Sequence, residues 1–149
     1  MDICGSLFLV MRKILFFFIA ALSLTSCFHH GENDARDAVD SFSVAYFNWR
    51  FKDAMPFVTP QSKQWLRFAA SQVDQEDVDS LRAKQYAAEV KVDDVSSVDD
   101  TTKLATVIVR DFLAMDTIGQ GPHAVPIDTF RIPVALTKGY WRVSLHRLP

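Results

Sequence analysis

The chain has 149 residues, with 16 Lys and Arg against 18 Asp and Glu and a formal net charge of −2. That near balance supplies no basic stripe for nucleic acid and no strong field to steer a charged partner. The only two cysteines, Cys4 and Cys27, sit at the front, so the remainder has no internal disulfide, no thiolate metal site and no cysteine nucleophile.

Arg12 and Lys13 precede an uncharged, mostly apolar run from Ile14 to Leu24. Eleven residues are too few to cross a hydrocarbon core of about 30 Å as a helix. Basic pair, apolar run and small residues before a cut follow the order of a secretory signal. Leu24, Thr25, Ser26 and Cys27 resemble the bacterial lipobox, leucine–small–small–cysteine. That resemblance implies a diacylglyceryl group on the Cys27 thiol, cleavage before Cys27 and a further acyl chain such as palmitate on the new amine. It makes the membrane a partner through the lipid and implies a place in the bacterial cell envelope, expected here to be that of a Gram-negative bacterium, in either membrane. The alternative is an ordinary secretory signal with an incidental cysteine. The segment "MRKILFFF" is a complete signal start by itself, which favours Met11 over Met1 as initiator. Cys4 is lost with the signal in both cases.

Cleavage leaves 123 residues from Cys27 to Pro149, with a net charge of −3 once Asp2, Arg12 and Lys13 are gone. That length suits one domain folding on its core alone. Residues 1–26 therefore read as signal peptide, 27–33 ("CFHHGEN") as a polar tether and 34–149 as a single domain. His29 and His30 are adjacent, and without further ligands they belong to the tether rather than to a metal site.

Asp34 to Phe51 reads as a helix. Ala35, Ala38, Val39, Phe42, Ala45, Tyr46 and Trp49 recur at three- and four-residue steps, and Asp34 suits the N-cap. A short helix starts near Asp53 with Pro56 in its first turn. Thr59-Pro60 opens another, over 60–72, carrying Trp65, Leu66, Phe68 and Ala69. Asp74 caps a last one over 75–84. From Tyr86 the period becomes two. Strands are expected near 86–98, 103–115, 128–137 and 140–147. Val90 and Val92 fall out of step with Val95 and Val98, which predicts a β-bulge at Asp93-Asp94. Met115 to Pro126 reads as a loop, and Lys138-Gly139 as the tight turn of the final hairpin.

Helices followed by two antiparallel hairpins indicate an α+β fold, with the helices packed on one face of a curved four-stranded sheet. The segments "AEVKVDDVSSVDDTTKLATVIV" and "FRIPVALTKGYWRVSL", closing on Gly139, Trp141 and Val143, resemble the nuclear transport factor 2-like (cystatin-like) cone. The resemblance covers Asp34 to Leu148. It implies a cone-shaped pocket that enzymatic members equip with an Asp or His acid/base. Other members bind small ligands or peptides, or form homodimers through the sheet.

The candidate pocket-lining residues are Tyr46, Trp49, Trp65, Arg110 and Asp111. The three aromatics read more simply as a plain core stripe, and Arg110-Asp111 more simply as a strand emerging into solvent. His123 lies in a Gly/Pro segment and His146 alternates outward beside Leu145. No pair of these has the spacing of a catalytic dyad or a zinc site, so no cofactor, metal or catalytic residue is assigned. Two functions follow. One is a lipid-anchored binding module for a small ligand, peptide or envelope protein, without catalysis. The other is a small cone-fold isomerase, dehydratase or hydrolase using Asp111 or His123.

Overall fold

Apolar residues at helical spacing, then at strand spacing, build a layer of helices on one sheet. The computed structural model describes residues 30–115 and 121–149, with side chains from Asp34 onward. The signal segment, Met11, Cys4 and Cys27 lie outside the described residues, as do residues 116–120. Helix α1 is His30–Phe47, α2 Phe51–Ala54, α3 Lys63–Gln72 and α4 Gln75–Ala83. Two 3-10 turns, Met55–Phe57 and Pro60–Ser62, connect α2 to α3. Strands β1 Glu89–Ser97, β2 Thr102–Ala114, β3 His123–Thr137 and β4 Tyr140–Val143 follow, paired antiparallel in the order β1-β2-β3-β4. No helix among the described residues is long and apolar enough to cross a membrane.

The stripe expected on α1 is the core stripe. Ala35, Val39, Phe42 and Ala45 are buried in one cluster with Leu66 and Ala69 of α3. The cluster also takes Val107 and Val109 of β2, Ile132 and Val134 of β3, and Trp141 and Val143 of β4. A fully buried Phe such as Phe42 contributes about 1.5–3 kcal/mol through its removal from water. The register shift between Val92 and Asp94 is the expected bulge. It lets Val92 and Val95, three positions apart, both face the core. The carbonyl of Val92 accepts from Arg36 Nη1 of α1 at 2.7 Å, tying the first helix to the edge strand.

Several boundaries differ from the sequence reading. Helix α1 begins at His30, inside the segment read as tether, so Asp34 is an exposed helical residue and not an N-cap. Strand β3 begins at His123 rather than near 128. The Gly/Pro content suggested a loop there, but β4 pairs only with residues 134–137, so Pro126 sits where β3 has a free edge and needs no N–H. Strand β4 ends at Val143, short of the expected 147. Ser144 N–H donates to the Pro133 carbonyl at 2.8 Å, but Pro133 has no N–H to return, so the ladder stops. The short helix starts at Phe51, two residues before Asp53, and Pro56 falls in the following 3-10 turn.

The last hairpin turns over Lys138-Gly139 with φ of 52° and 83°. Both positive values match the primed turn that suits the strand twist. Beyond it, the open edge of β4 is closed by the connection into α3. Val58 makes a parallel bridge to Val143, and Thr59 N–H donates to the Val143 carbonyl at 2.9 Å. Ser62 Oγ accepts from Leu145 N–H at 2.8 Å and lies 2.7 Å from Thr59 Oγ1.

Candidate functional site

At the other end of the β2–β3 ribbon the helices do not close over the sheet. A cavity of about 510 Å³ remains between the C-terminus of α1, the α3–α4 corner and the far ends of β2 and β3. This volume is in the range of small-molecule sites.

One wall is aromatic. Tyr46, Phe47 and Trp49 come from the end of α1, Phe51 from α2, Phe112 from β2 and Phe130 from β3. Phe47 is the centre of this wall, with ring centroids 5.4 Å from Phe112 and 4.6 Å from Phe130. Tyr46 stacks on Phe42 at 5.4 Å and meets Phe47 and Phe51 edge-on. Burial pushes the Tyr46 phenol well above its ordinary pKa, so it stays neutral. Its hydroxyl makes no hydrogen bond among the described residues.

Trp49 is set by the way α1 ends. Arg50 N–H donates to the Ala45 carbonyl at 2.8 Å and Trp49 N–H to the Tyr46 carbonyl at 2.9 Å. This is a Schellman cap with Trp49 in the left-handed position, φ 57°, where glycine is usual. A bulky residue there is strained by about 1–2 kcal/mol. The indole lines the cavity, and its Nε1–H donates to the Leu113 carbonyl at 3.2 Å. Beside it, Asn48 exchanges side-chain hydrogen bonds with both backbone groups of Ala88, at 2.8 and 3.3 Å, and fixes the helix end to the start of β1.

A second part of the lining is polar and acidic. It is the α3–α4 corner, with Gln72, Asp74, Glu76 and Asp77 beside Phe68 and Ala69. Asp74 and Asp77 form a reciprocal capping box. Asp77 N–H donates to Asp74 Oδ1 and Asp74 N–H to Asp77 Oδ2, both at 3.0 Å. The sequence predicted the Asp74 cap but not that its partner, Asp77, would be buried in a cavity wall. No Lys, Arg or His is among the described lining residues.

Of the sequence candidates, Tyr46 and Trp49 line the cavity. Trp65 does not; it lies one turn back from Ala69 on α3 and packs at the margin of the core. Arg110 and Asp111 do not line it either, and both are exposed. Strict alternation after Val107 and Val109 would turn residue 111 inward. Asp111 instead takes the left-handed conformation, φ 51°, opposite Pro126 and outside the paired register. The parity flips, Phe112 enters the wall in its place, and the Asp111 carbonyl turns out to accept from Lys84 Nζ. His123, at the start of β3, is exposed and outside the lining. Among the described residues no group of three or more His, Cys, Asp or Glu is placed to hold a metal ion.

No family model matches the sequence, and no curated protein matches it. Two solved structures are similar in fold. A Shewanella oneidensis NTF-2 like protein of unknown function superposes with a TM-score of 0.50 at 9% identity, over 74% of this chain and 92% of that one. A Campylobacter jejuni protein provisionally described as an NTF2-like transpeptidase gives 0.46 at 13% identity, over 74% and 96%. At these identities the likeness concerns the fold alone. With helices packed on a four-stranded antiparallel sheet, the chain has the nuclear transport factor 2-like α+β fold expected from its sequence.

Proposed function

We propose that the protein is a lipid-anchored cell-envelope module whose cavity binds a small ligand without chemical conversion. The observation that carries the binding half is the aromatic cavity at the open end of the sheet, with Trp49 held in its lining in a strained conformation. Binding sites are largely preformed, apolar and marked by few polar groups, and backbone strain concentrates at such places. The enzyme alternative loses support because Asp111 and His123 both lie outside the cavity. Asp74 and Asp77 do face it, but each holds a backbone N–H of the α4 cap. The anchoring half rests on the lipobox resemblance at Leu24 to Cys27.

Two experiments test the halves separately. Intact mass of membrane-extracted protein should begin at Cys27 and carry added acyl mass, and Cys27→Ala should remain uncleaved or leave the membrane fraction. Unmodified full-length protein in the soluble fraction would refute the anchor. For the cavity, Ala114→Trp places an indole where Ala114 lines the space. It should abolish binding of small aromatic fragments seen by ligand-observed NMR without lowering the melting temperature. Unchanged fragment binding in that variant would refute the cavity as the site.

A further inference from the structure

We infer that the ligand class for this cavity is a small organic cation, an ammonium or quaternary ammonium group carried on an apolar body. The inference rests on the cavity being a binding site at all. Its chemical basis is the pairing of two kinds of lining residue. One presents aromatic rings and the other three carboxylates, from Asp74, Glu76 and Asp77, with no positively charged side chain among the described lining residues. A neutral apolar ligand would be served by the rings alone and would gain nothing from the acids. An anion would meet carboxylates and the negative faces of the rings. A cation meets favourable charge from both kinds, because ring quadrupoles attract it over their faces and carboxylates attract it directly.

The geometry supports the same choice. Trp49 is the strongest ring type for a cation, and its indole makes no ring contact with another aromatic among the described residues. Its edge is fixed by the bond to the Leu113 carbonyl, and the residue lines the cavity. Asp74 and Asp77 each accept one backbone N–H in the capping box, so the acidic wall is rigid before any ligand arrives. Glu76, exposed in the first turn of α4, is outside that box and is the carboxylate free to adjust to a ligand.

The test uses three benzene-based probes on the purified full chain: phenyltrimethylammonium, its neutral isostere tert-butylbenzene, and the smaller anion benzoate. Titration calorimetry and Trp fluorescence report binding. The cation should bind roughly ten-fold or more tightly than the neutral probe, as a partly desolvated cation–π contact plus a carboxylate implies, and benzoate should not bind. Glu76→Gln should weaken the cation about two- to five-fold and leave the neutral probe unchanged. Equal affinity for cation and neutral isostere, or a Glu76→Gln variant that weakens both alike, would overturn the cation assignment while leaving a ligand cavity. If no probe binds the wild-type chain, and Ala114→Trp likewise changes nothing, the cation assignment and the cavity reading both fall.

Discussion

The two ends of the β2–β3 ribbon are built from similar residues but finished differently. At the closed end, Trp141 is 8% exposed, and Val58, Thr59 and Ser62 cover the edge of β4 with backbone and hydroxyl hydrogen bonds. At the open end a larger set of aromatic rings surrounds empty space, and Phe68 remains 42% exposed. Polar groups at the closed end face one another across 2.7–2.9 Å. At the open end the Tyr46 hydroxyl has no hydrogen-bond partner among the described residues, and Trp49 keeps a strained backbone. Aromatic side chains therefore fill a core at one end and line a cavity at the other, and what separates the two is closure, not composition.

Substitutions should expose that difference. The largest effect is expected at Trp141. Trp141→Ala should cost about 3–5 kcal/mol, the range for a packed aromatic, and with no disulfide in the domain the variant should unfold at much lower urea. Phe68→Ala, at the cavity rim, should cost no more than about 1 kcal/mol and act on ligand binding instead. Equal losses at the two positions would erase the distinction. Next is Ser62→Ala, which leaves the buried Leu145 N–H without its acceptor and should cost about 1–3 kcal/mol in urea denaturation, with fragment binding unaltered. The smallest effect is a gain. Lys138 occupies the left-handed position of the final turn, which Asn tolerates better, so Lys138→Asn should add about 0.5–1 kcal/mol to stability. A loss there would place the hairpin turn in another class.

The periodic parts of the fold could be read from the sequence because burial imposes their period directly. The α1 stripe through Val39 and Phe42, the bulge after Val92 and the Asp74 cap all followed from residue type and spacing. Where the reading failed, pairing across the sheet decided the outcome. Pro126 looks like a loop residue until its strand is seen to have a free edge, and β4 stops because of Pro133, a residue on its neighbour. The site divides the same way. Tyr46 and Trp49 were legible as aromatics on a helix end. Phe112 was hidden behind Asp111, whose left-handed backbone reverses the alternation and exchanges the inward residue. Phe47 and Phe130 had no distinguishing local signal, since only the tertiary fold brings their rings to 4.6 Å. Asp77 reads as an ordinary first-turn acid until α4 is docked.

The central claim is that the open end binds and the closed end does not, and the three tryptophans report on it directly. Each contributes one indole N–H signal to a ¹⁵N–¹H correlation spectrum of the full chain. Titration with whichever of the three probes binds should shift the Trp49 signal, whose N–H holds the carbonyl of Leu113 in the cavity lining, and leave Trp141 in place. A shift at Trp141 with Trp49 unmoved would contradict the account.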